Sequence, residues 1–382
     1  MSGLRVSLFT PWHARCGVRD YSRHLIAALT ALPEIVGVRV VEAPQGAARA
    51  SAVAALRHYL ADEKRFRALG AAMNAEGAEV AHVQHQYFFF GGVAPYKSHV
   101  RAFLSAVRVP LVMTVHEIAL PGPSASAPQR AALTLANRRN FLHPVIRRYI
   151  VHTEADRAHL AAIGVPADRI HVLTHGVPPP SPLPEPERAR EALGLEGKRV
   201  VTLFGFLSAK KGHTLALEAL RQLPPDVVLL FAGDRHPEDF TDYVPNLRAQ
   251  IQARGLANRV HITGYLPDER LPLIMAATDV GLAPYMQTSG SGSLANLLAY
   301  GRAIVASDIP PHQEIVRKVP ASLALFRSGD TEDLAAKLLT ALEDASCRAA
   351  LQAAARAYAD RYSYENMARE AVAIYRLARQ EV

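Results

Sequence analysis

Short apolar runs alternate with Ala/Leu-rich amphipathic stretches along this 382-residue chain, and the alternation breaks once. Arg5–Phe9, Val38–Glu42, Val80–Gln84, Pro110–Val115 and Tyr149–His152 read as strands. Between the first two, Asp20–Leu32 reads as a helix with Tyr21, Leu25, Ala28, Leu29 and Leu32 on one face, and Asp20 is the expected cap. The break is His175–Glu187, His-Gly-Val-Pro-Pro-Pro-Ser-Pro-Leu-Pro-Glu-Pro-Glu, whose prolines exclude regular structure and make a semi-rigid connector. The rhythm then restarts, with strands at Arg199–Phe204, Val227–Ala232, Val260–Thr263, Val280–Ala283 and Ala303–Ala306. Helices follow at Glu332–Leu342, Ser346–Asp360 and Tyr364–Arg379. Continuously apolar strands alternating with helices define an α/β fold, with parallel sheets covered on both faces. Two such doubly wound domains are expected, 1–178 and 179–362. In this class ligands bind beyond the carboxyl ends of the strands, and two domains facing one another would form a cleft there.

Composition narrows the class. Hydrophobic content of 49% and charged content of 20% fit a soluble globular chain. No run of about 18 apolar residues exists to span a membrane. Met1–Thr10 reads as a first strand and not as a signal peptide. Cys16 and Cys347 are the only cysteines, so a reducing cytoplasm is expected and a disulfide framework is not. Residues 1–178 hold 20 Lys/Arg against 11 Asp/Glu, and residues 179–382 hold 23 against 24, so the first half carries the whole +8 excess. Two readings stand side by side: contact with an anionic partner, such as the inner face of a membrane, or simple solubility. Arg130, Arg138, Arg139, Arg147 and Arg148 fall in a region expected to be helical, which reads as a solvated face or as a lipid-headgroup surface. No aromatic-interleaved basic motif points to nucleic acid.

Four stretches carry candidate chemistry. Asp279–Pro284 reads as a buried strand, Thr288–Ser293 (Thr-Ser-Gly-Ser-Gly-Ser) as a small-residue loop, and Leu294–Tyr300 as a helix stopped by Gly301. Such a loop before a helix presents backbone N–H groups and the positive end of the helix dipole, a site for an anion and most simply a phosphate. A plain tight turn is the alternative. In Thr202–Thr214 a strand ends at Gly205 and a helix begins near His213, with Lys210 and Lys211 between them, suited to a diphosphate or else merely solvated. His116 closes a buried strand in Met-Thr-Val-His-Glu, placed for substrate contact or acid–base work, or for a structural bond to backbone. His82 and His85 lie near another strand end, followed by Phe88–Gly92, where His85 and Gly91 are the acceptor-side candidates and apolar core is the alternative. No Cys or carboxylate cluster accompanies the histidines, so no metal site is expected.

Taken together, Cys-Gly-Val-Arg-Asp-Tyr at 16–21, Thr-Val-His-Glu at 114–117 and Thr-His-Gly-Val-Pro at 174–178 resemble a known family. So do Gly-Phe-Leu-Ser-Ala-Lys-Lys-Gly-His at 205–213, Ile-Thr-Gly-Tyr-Leu-Pro at 262–267 and Ala-Thr-Asp-Val-Gly-Leu-Ala-Pro-Tyr at 277–285. The chain resembles, almost end to end, the retaining nucleotide-sugar glycosyltransferases of the two-Rossmann (B-type) architecture, family 4. The resemblance implies a first domain for a hydroxyl acceptor (a glycan, glycolipid or natural product) and a second for the nucleotide diphosphate sugar, of GDP-mannose or UDP-hexose type. It implies that the last helix, 363–382, crosses back onto the first domain. It assigns Lys211 to the donor diphosphate, His116 to the neighbourhood of the transferred sugar, Gly17 to the loop by the phosphates, and Tyr265 and Leu266 to the base. Donor contacts are expected from Lys210 and from Thr288, Ser289, Gly290, Ser291, Gly292, Ser293, Leu294 and Asn296. No cofactor or metal is implied beyond the nucleotide sugar as co-substrate.

Two departures matter. Thr288 and Asn296 stand where the family usually carries two glutamates, and Phe206 stands where it usually carries an arginine. They motivate a second reading, a catalytically inactive nucleotide-sugar- or partner-binding protein on the same fold. A dinucleotide oxidoreductase is a third, but the Gly-x-Gly-x-x-Gly turn it needs after Phe9 is missing.

Overall fold

The computed structural model describes residues 3–44, 52–93, 97–122, 124–235 and 241–380; Met1, Ser2 and the last two residues of the expected final helix lie outside them. The chain divides into two compact units, residues 1–176 with 364–382, and residues 177–363.

In the first unit β1 (Leu4–Thr10), α1 (Gly17–Thr30), β2 (Ile35–Glu42), α2 (Ala52–Ala72) and β3 (Val80–His85) are followed by α3 (Val100–Leu104) and β4 (Leu111–Val115). Then come α4 (Ala127–Phe141), β5 (Ile146–Val151), α5 (Glu154–Ile163) and β6 (Ile170–Val172). The six strands pair in parallel in the order β2-β1-β3-β4-β5-β6. β3, β4 and β5 lie inside the sheet and are buried on both faces, which explains the apolar run of β4, while β3 and β5 carry His82, Gln84, His85, Arg147 and Arg148 among their apolar residues.

The second unit runs α6 (Pro186–Glu191), β7 (Arg199–Phe204), α7 (His213–Leu220), β8 (Val227–Ala232), α8 (Tyr243–Ala253) and β9 (Val260–Ile262). It continues with α9 (Leu271–Ala277), β10 (Val280–Ala283), α10 (Gly292–Ala299), β11 (Ala303–Ser307), α11 (Pro310–Lys318) and β12 (Ala324–Phe326). α12 (Thr331–Glu343) and α13 (Ala345–Arg361) close it. Its parallel order, β12-β11-β10-β7-β8-β9, reverses direction between β7 and β10. That reversal is the topological switch point, where an open α/β sheet leaves a crevice beyond the strand ends.

The final helix, α14 (Tyr364–Gln380), belongs to the first unit. Tyr364, Met367, Ala368, Ala371, Val372, Ile374, Tyr375 and Ala378 bury one face against Leu4, Val6, Val80, Val112 and Ile150 and against Tyr21, Leu25 and Leu29 of α1. Each large apolar side chain buried there contributes about 1.5–3 kcal/mol. Gly176 passes directly over the Tyr364 ring, where an added Cβ would lie 2.7 Å from two ring carbons.

Three local expectations are corrected. Asp20 does not cap α1: the helix begins earlier, at Gly17, so Asp20 falls in its first turn and pairs with Arg19. Arg147 and Arg148 are not helical but lie on β5, because α4 ends at Phe141. α10 begins at Gly292 and not Leu294, because the Ser291 hydroxyl accepts from the Leu294 N–H and so sets the cap at Ser291. The proline-rich connector is irregular up to Glu185, and Pro186 then serves as the first residue of α6, a position where its missing N–H costs nothing. Among the described residues no helix is long and apolar enough to cross a membrane.

Candidate functional site

The loops that leave β7 and β10 flank the switch point of the second unit, and between them they supply Lys211 and the Ser/Gly segment. Lys211 ends a short 3-10 turn, Ala209–Lys211, and Gly212 then takes φ +72° to start α7. An added Cβ on Gly212 would overlap the Pro284 carbonyl oxygen, so the two loops approach backbone to backbone. The Lys211 ammonium donates to Ser293 Oγ at 2.7 Å and to the Phe204 carbonyl at 3.3 Å, and lies 4.9 Å from the centre of the Tyr285 ring. Tyr285 is buried, and its carbonyl accepts from the Ser307 hydroxyl at 2.6 Å. Gly205, at φ +109°, forms the floor: a Cβ there would overlap Ser293 Oγ and lie 2.7 Å from Lys211 Nζ. Gly233, at the end of β8, packs so tightly on Gly205 that a Cβ would overlap the Gly205 carbonyl.

Ser293 and Gly292 sit in the first turn of α10, where backbone N–H groups have no acceptor within the helix and the dipole is positive. A cation and a helix start therefore point at one place, an arrangement that binds a multiply charged anion. Thr288 and Ser289 are half-buried on the same loop, with the Thr288 hydroxyl donating to the Gly290 carbonyl at 3.2 Å. Asn296 turns its amide back to the Gly292 carbonyl at 2.8 Å. Leu294 is core. Lys210 is exposed, and its carbonyl accepts from the Met286 N–H at 2.8 Å. Tyr265 and Leu266 follow β9 in the same unit, the first 42% exposed and the second half-buried.

In the first unit His116 follows β4. Its ring stands edge-on to Tyr21 at 4.8 Å and 5.5 Å from His152, and His175 lies 5.2 Å from Tyr21 and 5.3 Å from His152. Burial, and then the neighbouring His152 and His175, hold His116 well below the usual imidazole range, so the ring works neutral. Gly17 opens α1, and nothing lies within 4 Å of where its Cβ would be, so protein packing does not require glycine there. His85 is fully buried among Tyr87, Phe90 and Phe141, with neither ring nitrogen hydrogen-bonded. Gly91 caps a 3-10 turn at φ +95°, and its Cβ would overlap the Lys97 carbonyl, so local backbone geometry accounts for it. Among the described residues, no three His, Cys, Asp or Glu side chains gather as a metal-ligating group.

Sequence reasoning missed Gly233, Tyr285 and Gln84. The first had a legible signal, since glycine follows both β7 and β8; a fully buried Gln84 inside an apolar strand was the signal for the last.

Burial also fixes an acid sensitivity. Desolvation lowers His82, His85 and His213 from 6.5 to about 3, and His175 and His312 to about 4. These groups stay neutral when folded but take protons when unfolded. They leave stability untouched above pH 6.5 and remove it as pH falls toward 4, each by up to ~1.4 kcal/mol per pH unit. Thermal midpoints measured from pH 8 to pH 4.5 are expected to level off above about pH 7 and to drop steeply below 6; a flat profile between 7 and 5 would contradict the burial of these rings.

Two doubly wound parallel-sheet units of this kind define the architecture of the B-type glycosyltransferases. The Anabaena protein HepE, solved in complex with UDP and glucose, superposes with a TM-score of 0.71 over 96% of this chain and 98% of its own at 21% identity, a likeness of fold. The Glycosyltransferase Family 4 description matches residues 3–180 and the Glycosyl transferases group 1 description residues 185–358, and the chain belongs to this glycosyltransferase family. The 2-deoxystreptamine glucosyltransferase of Streptomyces kanamyceticus is 29% identical over 197 residues, 50% of this chain and 49% of the relative. The phosphatidyl-myo-inositol mannosyltransferase of Mycolicibacterium smegmatis is 29% identical over 280 residues, 71% of this chain and 66% of the relative. The matched regions thus span about half to two thirds of these relatives' lengths.

Proposed function

We propose that this protein is a retaining glycosyltransferase that moves a hexose from a nucleotide diphosphate sugar to a hydroxyl acceptor. The observation that carries the reading is the Lys211–Ser293 contact at the start of α10, a charge and a helix dipole focused at the switch point of the second unit. In transfer, the bond from the anomeric carbon to phosphate breaks as positive charge grows on the sugar ring. The protein's task is then to stabilise the departing diphosphate, which preorganised N–H groups and an ammonium do without reorganising. Departure of the diphosphate and attack by the acceptor on the same face of the sugar would give retention, the outcome that the resemblance to family 4 implies. The scheme routes no step through a metal. Tyr265 and Leu266 are assigned to the base, and Thr288 and Asn296 to hydroxyl groups of the donor. Gly17 is assigned to a backbone approach to the phosphates, a role in keeping with the open space around it. His116 contacts the transferred sugar or its acceptor, and His85 acts only behind that surface.

Relatives named for glucose and mannose transfer, and a fold neighbour holding UDP and glucose, support a hexose donor. The acceptors in those relatives' names, 2-deoxystreptamine and phosphatidyl-myo-inositol, make the test set, with the basic first unit suited to the anionic one. Incubation with UDP-glucose, UDP-galactose or GDP-mannose and each acceptor is expected to release nucleoside diphosphate and to form an α-linked product. Tight donor binding with no turnover for any pair would favour instead a non-catalytic binding protein, the reading that the replacement of both family glutamates motivates.

A further inference from the structure

Parallel pairing of β3 with β4 places His82 opposite Val112 and Gln84 opposite Thr114, so His82, Gln84, Thr114 and His116 share the sheet face covered by α1 and α14. Four hydrogen bonds join them to one another and to Tyr375 of α14. Tyr375 Oη of α14 lies 2.7 Å from His82 Nδ1. His82 Nε2 lies 2.8 Å from Thr114 Oγ1 and 3.3 Å from Gln84 Nε2, and Gln84 Oε1 lies 2.7 Å from His116 Nε2. Tyr375, His82, Thr114 and Gln84 are all wholly buried. A buried amide inside a strand is costly unless its donors and acceptor are used, and here they are spent on two imidazoles. The bonds also fix the protons. Gln84 Nε2 donates to His82 Nε2, so His82 carries its own proton on Nδ1, facing the phenol oxygen. Gln84 Oε1 can then only accept, so His116 carries its proton on Nε2.

We propose that Gln84 is a positioning residue for His116, holding the imidazole in one orientation and in its Nε2–H form so that it meets the sugar or the acceptor with a fixed donor edge. The proposal rests on the reading of His116 as a ring of the transfer site. Among the described residues, the groups around that ring include Tyr21 from α1, His82 and His85 from β3, His152 after β5, and His175. These groups carry no negative charge, so a carboxylate introduced at position 84 reverses the field they set.

The test is nitrogen NMR of the full chain labelled with 15N-histidine, with His116→Gln to assign the signals and Gln84→Glu and Gln84→Met as near-isosteric variants. In the wild type His116 is expected as the neutral Nε2–H form, persisting well below the ordinary imidazole midpoint. Gln84→Glu raises its protonation midpoint by about 1–2 units, the effect of an opposite charge in contact. Gln84→Met gives a mixture of tautomers, and donor turnover falls on the order of 10² in kcat with the donor KM little changed, as misplacement of one site group does. A wild-type Nδ1–H form, unchanged signals in both variants, or altered signals with unchanged kcat would each overturn the proposal. The NMR arm needs no substrate, so absence of turnover refutes the transferase reading and leaves the positioning of His116 separately decided.

Discussion

Lys211→Ala is expected to lower kcat on the order of 10²–10³ with any donor the enzyme accepts, while shifting the thermal midpoint little. The size follows from what the ammonium does. It meets Ser293 Oγ at 2.7 Å at the start of α10, where negative charge on a leaving diphosphate would be greatest in the transition state. Helix-dipole partial charges alone would remain after the substitution, worth about half an elementary charge in the same place but with no mobile donor. The fold should not suffer, since Lys211 is half-buried and, of its other partners, Phe204 is already paired with Ala232 in the sheet and Tyr285 is already packed in the core. Lys211→Arg is not expected to restore the rate, because a planar fork cannot occupy the space of a compact ammonium between Gly205 and Ser293. Steady-state kinetics on the purified variants decide it; a loss under threefold would remove Lys211 from the chemistry.

Gly205→Ala is expected to damage binding more than folding. Its φ of +109° costs any L-residue about 1–3 kcal/mol. The new methyl would overlap Ser293 Oγ and crowd Lys211 Nζ. Both are the ends of flexible side chains, so the clash is relieved by moving them, and moving them separates the charge from the helix start. Donor affinity should therefore fall at least tenfold beyond what the loss of stability explains, read by calorimetric titration at a temperature where the variant is fully folded. Full affinity with reduced stability would show that the floor glycine serves the backbone alone.

The alternation of strands and helices was legible because parallel strands, buried on both faces, leave uninterrupted apolar runs such as Val227–Ala232. Of the three-residue edge strands, Val260–Ile262 was read but Ile170–Val172 and Ala324–Phe326 were not, since so short a run carries no period. The apolar face of α14 could be read from Tyr364, Met367, Ala371 and Tyr375, but nothing in that pattern names the sheet it covers. Around the site, Lys211 and the Ser/Gly loop announced themselves by residue type. Their convergence was expected from the fold class, which puts both loops at the carboxyl ends of strands, but the direct Lys211–Ser293 contact was not, because it depends on β7 and β10 being neighbours although 75 residues separate Phe204 from Asp279. Helix starts were misplaced for a related reason. Asp20 is a good capping residue, yet the chain turns helical at Gly17. Ser291 caps α10 through a hydroxyl indistinguishable in sequence from those of Ser289 and Ser293. Gln84 and His116 lie 32 residues apart and are joined only by register.

The central claim is that an ammonium and a helix start in the second unit hold a diphosphate. Calorimetric titration of UDP, GDP and the matching monophosphates into the wild type and Lys211→Ala tests it directly. One diphosphate is expected to bind the wild type at least tenfold more tightly than its monophosphate, and this preference is expected to disappear in Lys211→Ala. An equal preference in both proteins, or none in the wild type, would contradict it.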